Sequence, residues 1–206
     1  YIKDYLYTYN LNNPINDHKV DQKFQQKLDR YVRGLPKYKK LERSPVKQKS
    51  IYLMIIATGK YDEFVQGLIS SADNYFFKNN QNIDVTYYVF GDKDFPIVSK
   101  RPIAKIHIEH RPFPYATLDR FKHFIDHSGA LSNNDYLYYV DVDCLFVDYV
   151  GEEILGELVG TQHCGFFNLK GPVESNPKSV IYVAPHYHKQ YKNYFGGSFS
   201  GGTSKK

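Results

Sequence analysis

From Ile51 onward the chain alternates short apolar runs with amphipathic segments, and this alternation restricts the fold to a sheet flanked by helices. Ile51–Ala57 reads as the first strand, and Thr58-Gly59-Lys60 turns it into a helix predicted from Tyr61 to Phe77, with Phe64, Leu68 and Ile69 on one face. Strands follow at Ile83–Phe90, closed by Gly91-Asp92, and at Ile103–Ile108, with Pro112 and Pro114 in the loop beyond. Leu118, Phe121, Phe124 and Ile125 recur at helical spacing within Thr117–His127, and Ser132-Asn133-Asn134 makes a turn. Tyr136-Leu137-Tyr138-Tyr139-Val140 is then a buried-strand sequence. No internal repeat or low-complexity tract interrupts the order, so the expected architecture is α/β.

The 206 residues suffice for one self-supporting core and leave no room for a second full domain. Residues 1–49, rich in Tyr, Asn and Lys, read as an arm with a helix-like stretch from Asp21 to Val32 and a basic segment from Lys37 to Lys49. Residues 50–206 are the expected domain. Lys and Arg number 27 against 22 Asp and Glu, a net charge of +5 with no dense basic block, so nucleic acid is not the expected partner. A phosphate-bearing substrate is compatible with that balance. Cys144 and Cys164 lie on separate apolar segments without metal-ligand spacing and read as buried thiols.

No apolar run approaches the roughly 20 residues of a membrane span, and no signal peptide opens the chain. Asn-x-Ser/Thr acceptors are absent as well, so the expectation is a soluble chain, cytoplasmic in a bacterial or viral setting. The first residue is Tyr1, and Gly201-Gly202-Thr203-Ser204-Lys205-Lys206 stops where a helix could begin, so both ends read as cut. Removal of an N-terminal anchor would instead place the chain in the Golgi lumen.

The chemistry concentrates where the last apolar strand runs into Asp141-Val142-Asp143. Open α/β sheets bind ligands at the carboxyl ends of their strands, and two carboxylates there make a site. In extended chain, residues two apart point to the same side. Asp141 and Asp143 can hold one divalent ion between them, or divide an ion and a ribose hydroxyl. Their mutual repulsion is offset best by a hard cation, Mn²⁺ or Mg²⁺, since zinc would want His or Cys nearby. Two other readings stay open: acids solvated at a loop, and a nucleophile of the haloacid-dehalogenase-like phosphatases. Those phosphatases place Thr or Val after the pair, where this chain has Cys144-Leu145, and need a later acidic pair that Glu152-Glu153 is too close to supply.

The residues around the pair resemble family 6 glycosyltransferases. The match is densest from Tyr139 to Phe167: Val140-Asp141-Val142-Asp143, Phe146, Asp148-Tyr149-Val150-Gly151, Glu153-Ile154-Leu155, then Gly160-Thr161-Gln162-His163-Cys164-Gly165-Phe166. Ala57-Thr58-Gly59-Lys60-Tyr61 and Tyr87-Tyr88-Val89-Phe90 resemble the family's first strand-to-helix turn and second strand, and Tyr194 to Gly202 its aromatic, glycine-rich acceptor loop.

The resemblance implies a GT-A type nucleotide-diphospho-sugar transferase fold, with a mixed, mostly parallel sheet flanked by helices. It also implies a Mn²⁺ ion, UDP-Gal or UDP-GalNAc as donor, and transfer with retention in α-1,3 linkage to a galactoside or oligosaccharide acceptor. Asp141 and Asp143 would hold the metal. Ile56, Ala57, Thr58 and Tyr61 would line the uridine pocket, and Arg120 would approach the diphosphate or donor sugar. His163 would face the acceptor, while Gly196, Gly197 and Ser198 would sit where the family chooses between Gal and GalNAc. The family's catalytic carboxylate would lie beyond residue 206, leaving the domain C-terminally truncated. A noncatalytic UDP-sugar- and metal-binding module of the same fold is the alternative.

Other motifs have plainer readings. Thr58-Gly59-Lys60 lacks the upstream glycine of a phosphate loop, Met54 standing in its place, and reads as an ordinary helix start. His186-Tyr187-His188, next to Pro185, reads as a polar loop.

Overall fold

The computed structural model describes residues 49–127, 135–163, 166, 173–180, 182–187 and 194–204. Residues 1–48 of the proposed arm, with its helix, and the turn at Ser132-Asn133-Asn134 lie outside the described residues, as do Cys164 and His188, while Lys49 opens the first strand. Among the described residues, those up to Thr161 and from Gly196 onward form one compact unit, and those from Gln162 to Phe195 a second.

The strands are β1 (Lys49–Ala57), β2 (Ile83–Gly91), β3 (Ile103–His107), β4 (Tyr136–Val140), β5 (Leu158–Gln162) and β6 (Phe195–Thr203). The helices are α1 (Asp62–Tyr75), α2 (Tyr115–Leu118) and α3 (Arg120–Asp126). A 3₁₀ turn at Gly59–Tyr61 leads into α1, so this helix starts and ends slightly inside the expected span. The sheet order is β3-β2-β1-β4-β6-β5, with β1 parallel to both β2 and β4, and β2 parallel to β3. Strand β6 is antiparallel to β4. This is an α/β architecture of the GT-A type, its sheet mixed and mostly parallel.

Alternation along the strands divides the core in two. Ile51, Leu53, Ile55 and Ala57 of β1 and Tyr136, Tyr138 and Val140 of β4 share one cluster with Val65, Leu68, Ile69 and Ala72 of α1. Met54, Ile56 and Phe90 pack with Phe124 of α3 in the other, flanked by Tyr52, Tyr88 and Tyr139. Each fully buried aliphatic side chain of α1 contributes about 1.5–3 kcal/mol relative to an exposed one. The α1 cluster is tied down by polar contacts as well, since the Tyr87 hydroxyl donates to Asp73 at 2.9 Å and the Tyr138 hydroxyl donates to the Ile154 carbonyl.

Two expectations need correction. Helical spacing within Thr117–His127 implies an apolar face, but the structure breaks the segment into α2 and α3 and buries only Phe124. Leu118, Phe121 and Ile125 are 65%, 60% and 71% exposed. The two helices have 4 and 7 residues, too short for a continuous stripe to reach the sheet. The glycine-rich stretch that resembles an acceptor loop is strand β6, because glycine lets its backbone lie against β4 more closely than a Cβ would allow.

Candidate functional site

Where β1 and β4 lie side by side, the chain proceeds from β1 toward β2 and β3 in one direction and adds β4 in the other. Such a switch in strand order opens a crevice at the carboxyl ends of the strands. A cavity of about 300 Å³ occupies it, lined by Ile56, Thr58 and Tyr61 at the end of β1 and beyond, by Tyr139, Asp141, Val142 and Asp143 at the end of β4 and beyond, and by His110, Arg111, Phe113, Ala116 and Thr117 after β3.

Asp141 and Asp143 both reach this cavity, though not as an extended pair. The Cys144 amide donates to the Asp141 carbonyl at 3.0 Å, closing a tight turn over Asp141-Val142-Asp143-Cys144. The turn is pinned from β6, since the Asp141 amide donates to the Ser198 carbonyl at 2.8 Å. Burial pushes the Asp141 carboxyl above the usual aspartate range, against the stabilising hydrogen bond from Tyr139 and the charge of Arg120. Asp143 is raised too, first by burial and then by the neighbouring charge of Asp141. Two partly desolvated carboxylates in one cavity, Asp143 held up further by the charge of Asp141, offer hard oxygen donors that suit a divalent cation. Among the described residues no cluster of three or more His, Cys, Asp or Glu stands at metal-binding spacing, so ligand and water oxygens would complete the coordination. Cys144 takes no part: it is fully buried, and burial pushes its thiol up to about 12.

Arg120 opens α3 and lies over the ring of Tyr139, 4.6 Å from its centroid, while its Nη1 donates to the Gly197 carbonyl at 3.3 Å. Its Nε is buried with no hydrogen-bond partner among the described residues. A buried N–H of a guanidinium left unpaired is costly, and an anionic oxygen is the acceptor best matched to it.

The turn after β1 is rigid. Gly59 has φ of +65°, and a Cβ there would come within 2.9 Å of the His110 ring. Its amide donates to Asp92 Oδ1 at 2.8 Å, and Lys93 Nζ donates to its carbonyl at 2.6 Å while pairing with Asp62 at 2.8 Å. Thr58 is thereby fixed at the mouth of the cavity, with its carbonyl accepting from the Tyr61 amide at 3.2 Å.

The structure therefore brings together Ile56, Thr58, Tyr61, Asp141 and Asp143 on one cavity, with Arg120 beside them. Ala57 is placed elsewhere: strand alternation turns its side chain into the α1 core, where it is 0% exposed. Gly196, Gly197 and Ser198 lie on β6, Gly197 bonding Arg120 and Ser198 bonding the backbone of Asp141. His163 belongs to the second unit, where its ring packs with Phe166 at 5.0 Å and Tyr194 at 5.6 Å and its amide donates to the Tyr194 carbonyl. In the same unit the Val183 amide donates to the Glu174 carbonyl, and Pro185–Tyr187 forms a 3₁₀ turn.

Sequence reasoning missed Tyr139 and the His110-Arg111 pair. Tyr139 was signalled by its place two residues before Asp141. The loop after β3 carries no such signal, because β2 and β1 separate β3 from β4 in the sheet and only the folded chain brings the loop to the cavity.

The chain is 30% identical over 168 residues to a chicken protein named globoside alpha-1,3-N-acetylgalactosaminyltransferase 1, covering 76% of this chain and 47% of the relative. It is 28% identical over 174 residues to rat histo-blood group ABO system transferase 1, covering 79% and 48%. It is also 28% identical over 160 residues to the Escherichia coli O-antigen biosynthesis glycosyltransferase WbnI, covering 75% and 66%. The chain thus spans about half the length of the animal relatives it matches. The model of glycosyltransferase family 6 matches residues 38–206, and with the Asp pair at the switch point of a GT-A type sheet, the chain belongs to that family.

Proposed function

We propose that this chain carries the donor site of a retaining hexosyltransferase that moves galactose or N-acetylgalactosamine from a UDP-sugar to a galactoside acceptor in α-1,3 linkage, with Mn²⁺ held by Asp141 and Asp143. The observation that carries the reading is the pair of partly buried carboxylates on one cavity, with the unpaired Nε of Arg120 close by. The protein offsets the carboxylate charge only in part, and a metal-bound diphosphate would complement both the acids and the guanidinium.

The chain's own groups divide the work. Ile56 supplies an apolar wall and Tyr61 an aromatic ring for a nucleobase, and the left-handed turn at Gly59 keeps both in place. Asp141 and Asp143 hold the cation by carboxylate oxygens, and Arg120 directs Nε–H toward the diphosphate. When bound, the divalent ion offsets the negative charge that grows on the UDP leaving group. Arg120 adds a fixed charge on the same side, with no reorganisation needed as the bond breaks. His163, packed between two aromatic rings in the second unit, is assigned to the acceptor. Retention and the galactoside acceptor rest on family membership. The name of the chicken relative favours N-acetylgalactosamine as one donor to test.

Calorimetric titration of UDP, UDP-Gal and UDP-GalNAc with Mn²⁺ and again with EDTA tests the donor site. Binding that the metal strengthens, with that gain lost in Asp141→Ala and Asp143→Ala, supports it. Folded protein that binds no UDP under any condition removes it. Binding by the complete polypeptide without transfer to a galactoside would make the domain a noncatalytic module.

A further inference from the structure

One side chain joins the two halves of the donor site. Tyr139 stands two residues before Asp141 on β4, and its hydroxyl donates to Asp141 Oδ1. The ring's face carries the Arg120 guanidinium at 4.6 Å, and the ring also packs on Phe124 of α3 at 5.7 Å. Tyr139 is fixed in turn by the second core cluster, between Met54, Ile56 and Phe124. Its position is therefore set by the sheet and α3 rather than by the loop carrying the acids.

We propose that Tyr139 is the positioning residue of the donor site, orienting the Asp141 carboxylate through its hydroxyl and seating Arg120 through its ring. The inference rests on the proposed donor site and assigns a role inside it. The hydroxyl occupies one oxygen of Asp141 and holds the carboxylate in a single rotamer, leaving its other oxygen for a cation. Partners that orient metal ligands in this way typically change metal affinity by roughly 10- to 100-fold when removed. The ring acts separately. A cation over an aromatic face is held at a fixed height, and here the Gly197 carbonyl fixes the same guanidinium from β6. The guanidinium is thereby held between the ring and β6 while its buried Nε has no hydrogen-bond partner among the described residues.

The two functions separate by substitution. Tyr139→Phe keeps the ring and deletes the hydroxyl; Tyr139→Leu deletes both. Mn²⁺ binding is followed by electron paramagnetic resonance of the free ion, and UDP binding by calorimetry in EDTA and in Mn²⁺. Thermal unfolding confirms that each variant is folded. In Tyr139→Phe, Mn²⁺ affinity falls roughly 10- to 100-fold while any UDP affinity measured in EDTA stays within twofold of the parent. In Tyr139→Leu both fall. A purely structural role predicts parallel losses in the two variants, and that pattern overturns the proposal, as does a Tyr139→Phe protein that binds Mn²⁺ like the parent. If the unsubstituted protein binds neither Mn²⁺ nor UDP, the donor-site reading itself fails and this inference falls with it. Parent binding with an unaffected Phe variant removes only the positioning role.

Discussion

Replacing Gly201 with alanine tests whether β6 is held against β4 by a contact that only glycine permits. Gly201 is paired with Tyr138, and a Cβ there would lie 2.1 Å from the Leu137 carbonyl oxygen and 2.7 Å from Tyr138 Cα. Carbon and oxygen settle at about 3.3 Å or more, so β6 must retreat by roughly 1 Å. Both blocking groups are backbone of a strand that also pairs with β1, so no side-chain rotation relieves the clash. Overpacking costs about 1–3 kcal/mol, and each loosened ladder hydrogen bond about 0.5–1.5 kcal/mol. With two bonds loosened, the expected loss of stability is about 2–6 kcal/mol. Gly197→Ala is the control, since a Cβ there meets only Arg120 Nη2, at 3.6 Å, an ordinary contact. That variant should stay within about 0.5 kcal/mol of the parent. Urea denaturation followed by circular dichroism measures both, with the slope checked for an unchanged unfolding transition. The Gly201 variant should also lose UDP affinity, because the same strand pins Asp141 through Ser198. Equal midpoints for the two variants would refute the close-approach argument.

Leu68→Ala on α1 should cost about 2–5 kcal/mol by denaturation, and Leu118→Ala on α2 no more than about 0.5 kcal/mol; comparable losses would mean that α2 packs on the core. Asp143→Asn addresses the raised carboxyl. Because its folded value lies above the ordinary 3.8, metal-free parent protein loses stability as pH rises from 3.8 through the folded value, then levels off. The asparagine variant should therefore melt higher than the parent in EDTA at neutral pH, and the difference should vanish at pH values below 3.8. Adding Mn²⁺ should reverse the order by stabilising the parent more, and a difference independent of pH would exclude the electrostatic cause. EDTA should weaken UDP binding in calorimetry without abolishing it, and Mg²⁺ should restore part of the loss, whereas restoration by zinc alone would contradict a pure oxygen site.

Periodicity located the four parallel strands within two residues of their observed ends, because each is a short run with apolar residues bounded by turn residues. It also found the helical segment that α2 and α3 occupy but not its burial, since Leu118, Phe121 and Ile125 keep helical spacing and stay exposed. It failed at β6, whose glycine-rich sequence reads as loop until the close backbone contacts of Gly201 and Gly202 are seen.

The chain alone determined that two carboxylates follow a buried strand, that the sheet is α/β, and that the pattern from Tyr139 to Phe167 is that of family 6, since these properties reside in local order and residue type. Tertiary structure decided which groups share a cavity. Arg120 and Gly197 are 77 residues apart, and their meeting depends on β6 folding back antiparallel beside β4. Ala57 leaves the cavity while its neighbours Ile56 and Thr58 enter it, because a strand sends successive side chains to opposite faces and α1 covers one of them. The placement of Tyr139 against both Asp141 and Arg120 has the same origin: the hydroxyl contact is local to β4, and the guanidinium contact exists only because α3 packs on that face of the sheet.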